Sequence, residues 1–178
     1  MTTPSKTSSA RQKSRLPASL EADVICDSDA WVALDAAEIV VKRAVDAVAR
    51  WPGLLSGPRT ISIALSSDAE VAALNGQFRA KPKPTNVLSF PAGSSAPEDF
   101  LGDIILAAET VIREADEQET PLGHHVQHLI VHGVLHLLGF DHETADDAQR
   151  MESLEIAILA SLGIANPYTG ELQTATKE

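Results

Sequence analysis

The sequence predicts an α+β domain: a small mixed β-sheet with helices packed mainly on one face. Three observations carry this. The patterns run strand, helix, strand, helix, strand, strand and then three helices. Two of the strand patterns, RTISIAL (59–65) and LGDIILA (101–107), are apolar enough to lie inside a sheet. One late helix, over 121–138, is apolar on most sides yet belongs to a stretch holding all six histidines of the chain, between positions 124 and 142. With 178 residues, 44% hydrophobic and 22% charged, the chain supports one core and is short for two. The expected layout is a basic tail over 1–18, one domain over 19–165 and a polar tail over 166–178.

Residues 1–18, MTTPSKTSSARQKSRLPA, have the composition of a disordered extension. An organellar transit peptide and a tail that touches RNA share that composition. SLEADVIC (19–26) alternates loosely and predicts the first strand. Asp27, Ser28 and Asp29 then cap a helix from Trp31 to about Trp51, with Val41, Ala44, Val45 and Val48 at helical spacing and Pro52-Gly53 as its end. After the strand 59–65, Ser67-Asp68-Ala69-Glu70 has the capping-box pattern and opens a helix through about Asn75, with Gly76 releasing the chain. Gln77 to Lys83 gathers Arg79, Lys81 and Lys83, the only basic residues between Arg59 and Arg113. Charge pattern alone reads them as a solvated loop.

Thr85-Asn86 turns into the strand Val87–Phe90, which Pro91 ends. AGSSAPEDF (92–100) is a surface loop. Within the next strand Asp103 is unusual: a buried carboxylate needs a partner, either a structural neighbour or a ligand histidine. Glu109–Glu119 reads as an acidic helix with a solvated face. Thr144 caps a final helix whose Met151, Leu154, Ile158, Leu159 and Leu162 form an apolar stripe, with Asp146, Asp147, Glu152 and Glu155 assigned to the opposite face.

The chemistry is concentrated in HLIVHGVLHLLGFDHE, 128–143. His132 and His136 are four apart, so on a helix their imidazoles stack one turn above the other and reach a single ion from a rigid backbone. Gly139 stops the helix, and Phe140-Asp141 swings His142 back to complete a facial set of three. Three nitrogen ligands leave one position of a tetrahedral ion open to water, the arrangement of a catalytic site. The spacing HxxxHxxGxxH is that of a zincin-like metal helix, the ligand pattern of one class of zinc proteases. Those enzymes carry a Glu base after the first His, and here that position is Gly133. His128, one turn before His132, is either a support for the ligand set or a solvated residue. Asp141 is either a proton acceptor or a cap of its turn.

HGVLHLLGFDH, with LNGQFRAKPKPTNVLSFP and LGDIIL upstream, resembles the bacterial YbeY family of metal-dependent endoribonucleases over residues 74–142. The resemblance implies one zinc per chain on His132, His136 and His142 and an important arginine at Arg79. It also implies single-stranded RNA as substrate, with a role in 16S rRNA 3′-end maturation and ribosome quality control. It makes Arg79 a catalytic candidate that stabilises charge on phosphate, with Lys81, Lys83 and Asn86 as candidate substrate contacts.

Charge constrains this reading. Net charge is −11, and setting aside the four bases of the first twenty residues, which include no acid, leaves −15 for the rest. So acidic a body cannot hold RNA by broad counterion release; contact must be local or helped by a partner particle such as a ribosomal subunit. Aromatic content of 4% supplies no stacking platform for bases. The lone Cys26 points to a reducing, cytoplasmic setting, and no apolar run approaches the ~18 residues of a membrane helix. Two other readings stay open: a metallopeptidase-like or small-molecule zinc hydrolase, and a noncatalytic zinc-stabilised ribosome-associated factor whose ion is closed off by a fourth ligand such as Asp141.

Overall fold

The computed structural model describes residues 16–79 and 85–169, with Arg79 described by its backbone alone. The predicted tail up to position 15, the Lys81 and Lys83 candidates and the chain beyond 169 lie outside the described residues. The chain runs β1 (Ser19–Cys26), a 3-10 turn (Asp29–Ala33), α1 (Ala37–Arg50), β2 (Pro58–Ser66), α2 (Asp68–Arg79), β3 (Val87–Pro91), β4 (Phe100–Ala107), α3 (Ala108–Glu117), α4 (Leu122–Leu137) and α5 (Ala145–Ser161). It is the expected α+β arrangement. The four strands lie in the order β1-β2-β4-β3, with β1, β2 and β4 parallel and β3 antiparallel to β4, so the sheet is mixed.

Alternation along the strands divides the sheet into two faces. Ile61, Ile63 and Leu65 of β2 and Ile104 and Leu106 of β4 are buried against α1 and α4, together with Val41, Val45 and Val48 of α1 and Val126, Ile130, Val134 and Leu135 of α4. The other face carries a smaller cluster, Leu88 and Ala107 under Val71 of α2, with Leu74, Phe90 and Ile105 packed around it. Asp103 neighbours Ile104 along β4 and therefore lies on the face turned away from α4, half-buried. Of its two candidate roles, support of a ligand histidine is not the one it adopts.

Two helix boundaries differ from the sequence expectation. The single helix expected from Trp31 to Trp51 is broken at Leu34–Ala36, where Ala36 adopts φ 51. Trp31 is the cause: its indole is buried and Nε1 donates to the Ser66 carbonyl at 2.9 Å, pinning the 3-10 turn to the end of β2 before α1 begins. Gly76 does not release the chain, and α2 continues to Arg79. A mid-helix glycine costs only about 1 kcal/mol, which the packing of Val71 and Leu74 outweighs. Arg79 therefore ends a helix instead of sitting in a loop.

The turn from β3 into β4 fixes the sheet edge beside α4. β4 carries an extra residue opposite Thr60–Ser62, and Gly102 at that irregularity has φ 139. A Cβ at Gly102 would stand 2.1 Å from the Phe90 carbonyl oxygen and 3.0 Å from the Ala92 nitrogen. Only glycine permits this close pairing. Gly102→Ala should therefore lower stability by about 2–4 kcal/mol, read from the urea midpoint; an unchanged midpoint would contradict the role given to this residue.

Candidate metal centre

α4 places its histidines by strict periodicity. Its apolar residues hold it against the sheet and α1, and His125, His128, His132 and His136 follow one side of the helix with ring centroids 6.3, 6.4 and 4.5 Å apart in sequence. The Gly139 turn, φ 94, returns the chain: Gly139 N–H donates to His136 O at 3.0 Å and Phe140 N–H to Leu135 O at 3.0 Å. His142 is thereby brought back with its ring 5.4 Å from that of His132 and 4.7 Å from that of His136. One nitrogen from each of the three lies within 4.8 Å of the others. His132 and His136 are partly buried and His142 is exposed, so the cluster opens to solvent on one side.

The back of each helical imidazole is tied down. His132 Nδ1 meets the Glu155 carboxylate, and His136 Nδ1 lies 3.0 Å from the Phe140 carbonyl oxygen. Both partners are acceptors, so each Nδ1 carries a proton, and in the neutral ring Nε2 is the lone pair. Yet the two Nε2 atoms stand 3.0 Å apart, facing one another. A cation between them removes this conflict. A transition-metal ion bound at about 2.0–2.1 Å sets tetrahedral ligand nitrogens roughly 3.3 Å apart, close to what α4 already provides. The residues fit a divalent metal. Burial first, then the neighbouring His132 and His142, hold the His136 pKa below that of an ordinary imidazole, and the Phe140 carbonyl only partly offsets this. A neutral ring is the form that ligates.

Glu155 is the functional residue that sequence reasoning misplaced. Assigned to the polar face of α5, it is 1% exposed, because it falls on the buried stripe with Met151, Ile158 and Leu159 at helical spacing. An acid in register with an apolar stripe was the available signal. Burial raises its pKa, but His128, His132 and the Tyr168 hydroxyl outweigh that and bring it down to about 2, so it is a carboxylate at neutral pH. Tyr168, in the stretch expected to be a polar tail, donates to Glu155 Oε2. His128 Nε2 stands 3.4 Å from the Tyr168 hydroxyl and 3.9 Å from Glu155 Oε2, which places it behind the ligand set.

A second histidine–carboxylate pair lies further back on α4. His125, 4% exposed, contacts Glu114 at 2.8 Å, and Glu114 also accepts from Asn86 Nδ2 at 3.1 Å. α3 is thus not merely a solvated acidic helix: Thr110, Val111 and Ala115 are buried. Asn86 also accepts from Val87 N–H at 2.7 Å, so its side chain is committed to the turn and to Glu114. Asp141 accepts from Glu143 N–H at 3.1 Å, the turn-capping role. A cavity of about 740 Å³ lined by Asn86, His124, His125, His128 and Tyr168 lies alongside.

Gly133 explains why no glutamate follows the first ligand. A Cβ there would meet Ile104 side-chain atoms at 3.1 and 3.2 Å and Ser89 Oγ at 3.1 Å. α4 lies directly on β3 and β4 at this turn, and Ser89 Oγ donates to the Gly133 carbonyl at 3.4 Å. A side chain at this position would have to push these neighbours back by a few tenths of an ångström.

Because Glu155 is the outer partner of His132, Glu155→Gln should weaken divalent-metal affinity about 10–100-fold. Competition against a fluorescent chelator measures this, and equal affinities would show that the carboxylate does not support the site.

These features agree with what the chain is similar to. A family model described as Endoribonuclease YbeY matches residues 25–163. A protein of Rhodopseudomonas palustris named Endoribonuclease YbeY is 46% identical over 155 residues, covering 84% of this chain and 81% of that protein. One of the same name from Dinoroseobacter shibae is 48% identical over 168 residues, covering 85% and 92%. Among solved structures, the solution structure of TM1509 from Thermotoga maritima aligns at 23% identity and a TM-score of 0.47, over 79% of this chain and 91% of that one. The family match takes in the whole sheet from the end of β1, the metal helix and α5 with its Glu155, and on that extent the chain belongs to the endoribonuclease YbeY family.

Proposed function

We propose that the protein is a zinc-dependent endoribonuclease that cuts single-stranded RNA in the cytoplasm. Its task would be 16S rRNA 3′-end maturation and ribosome quality control. What supports the reading is one observation joined to the family: His132, His136 and His142 converge with bare nitrogens on a site open at the His142 side. Zinc bound there would polarise a phosphoryl oxygen and lower the pKa of its water from about 15.7 to near 7.

The chain's own residues divide the remaining work. Glu155 and the Phe140 carbonyl hold the two helical imidazoles in the ligating tautomer. Arg79, at the end of α2, is proposed to grip the phosphate bidentately and offset the charge that builds during in-line attack. Lys81 and Lys83 follow it in sequence and would add local attraction for the RNA backbone in an otherwise acidic chain. Asn86 serves the turn in this reading. Asp141 has Oδ1 on the Glu143 amide, so proton acceptance during attack would fall to its other oxygen. No helix among the described residues is long and apolar enough to cross a membrane.

The metallopeptidase reading is disfavoured by Gly133 itself, which stands where the usual base would be, in tight contact with Ile104 and Ser89. The closed, noncatalytic reading needs a fourth protein ligand, and the group that converges among the described residues is His132, His136 and His142 alone.

Zinc content by elemental analysis should be one per chain. Incubation with single-stranded RNA, duplex RNA and casein should give cleavage of the first alone. His136→Ala should abolish that cleavage, and Arg79→Ala should slow it about 10²–10³-fold. Casein hydrolysis, or Arg79→Ala cutting RNA at the wild-type rate, would overturn the assignment.

A further inference from the structure

The residues after α5 are held in a defined path. Ile164, 7% exposed, is seated in the main core, and its N–H donates to Leu159 O at 3.0 Å. Asn166 then bends the chain: its Oδ1 accepts from Tyr168 N–H at 2.8 Å, and its carbonyl accepts from the Thr169 hydroxyl at 3.0 Å. This bend turns the Tyr168 ring edge-on to His128, with centroids 5.7 Å apart and planes at 85°. The hydroxyl donates to Glu155 Oε2, while Glu155 Oε1 meets His132 Nδ1. One buried carboxylate therefore joins the C-terminal segment to a residue of the metal cluster: Oε1 meets His132, and Oε2 takes the phenol, with His128 Nε2 at 3.9 Å from it.

We propose that Tyr168 is a positioning residue of the metal centre, and that the segment Ile164–Thr169 and the bound cation stabilise one another through Glu155. The proposal rests on the reading that His132, His136 and His142 hold a divalent metal; it does not depend on what the enzyme cuts. A carboxylate with one oxygen free can rotate about its Cγ–Cδ bond, and His132 would then lose the fixed acceptor that sets its tautomer. With the second oxygen held by a phenol, and His128 Nε2 only a weaker neighbour at 3.9 Å, rotation is opposed and His132 Nε2 stays aimed at the site. Reciprocity follows: if the ordered segment raises metal affinity, metal must raise the order of the segment by the same factor.

The test uses the full chain, stripped of metal, with zinc as the probe. Zinc affinity by chelator competition should fall about tenfold in Tyr168→Phe, the low end of the effect of removing an outer partner. Phenylalanine keeps the ring against His128, so the segment retains its packing and only the hydroxyl is lost. A purely structural tyrosine would lower the melting temperature of the metal-free protein while leaving zinc affinity unchanged. The second reading is amide exchange of residues 164–169, which zinc should slow in the wild type and slow much less in Tyr168→Phe. Equal affinities in the two proteins, or exchange indifferent to zinc in the wild type, would overturn the proposal. A wild type that binds no zinc would overturn the metal reading and this one with it. A wild type that binds zinc but cuts no RNA would leave the coupling standing and count against the RNA reading alone.

Discussion

Two imidazole Nε2 atoms facing each other at 3.0 Å, each with its Nδ1 turned to an acceptor, are the constraint on which the structure turns. Nothing local to His132 and His136 would choose that arrangement; left alone, one ring would rotate or take up a proton. It persists because the opposite edge of each ring is occupied, by a buried carboxylate in one case and by the carbonyl of the turn that ends the helix in the other. Two unrelated devices, a long-range contact from α5 and a contact made four residues on, produce the same tautomer. Burial adds to this by holding His136 neutral.

The rest of the fold keeps α4 where these partners can reach it. Its apolar residues occupy the sheet face formed by Ile61, Ile63, Leu65, Ile104 and Leu106, and Gly133 lets the backbone approach β3 and β4 directly after the first ligand. That close approach is also what separates this site from the zinc proteases whose ligand spacing it shares. Here the ligand geometry is retained and the base position is given over to packing, so proton transfer has to be organised elsewhere.

Much of this was legible in the sequence, and the limits have physical causes. Periodicity located every strand within a residue or two, and the convergence of His132, His136 and His142 followed from helix geometry and one glycine. Gly76 misled because a propensity of about 1 kcal/mol was weighed without the packing of Val71 and Leu74. Trp31 interrupts a helical pattern through a hydrogen bond to Ser66, 35 residues away, a contact that no local window contains. Glu155 was read by its charge, although its spacing from Met151 and Ile158 put it in the core; its partner settles the matter, and that partner is 23 residues distant. Tyr168 stands in a stretch whose composition is that of a tail, and only the Asn166 bend makes it part of the domain.

The buried carboxylate also divides the centre by distance along the chain. The three imidazoles occupy a short contiguous stretch, which a peptide of that sequence would also possess, whereas the group that orients the first of them arrives only when α5 docks. On the metal reading, tight capture would therefore belong to the assembled tertiary structure and not to the histidine motif, and a partly unfolded chain would exchange an ion readily.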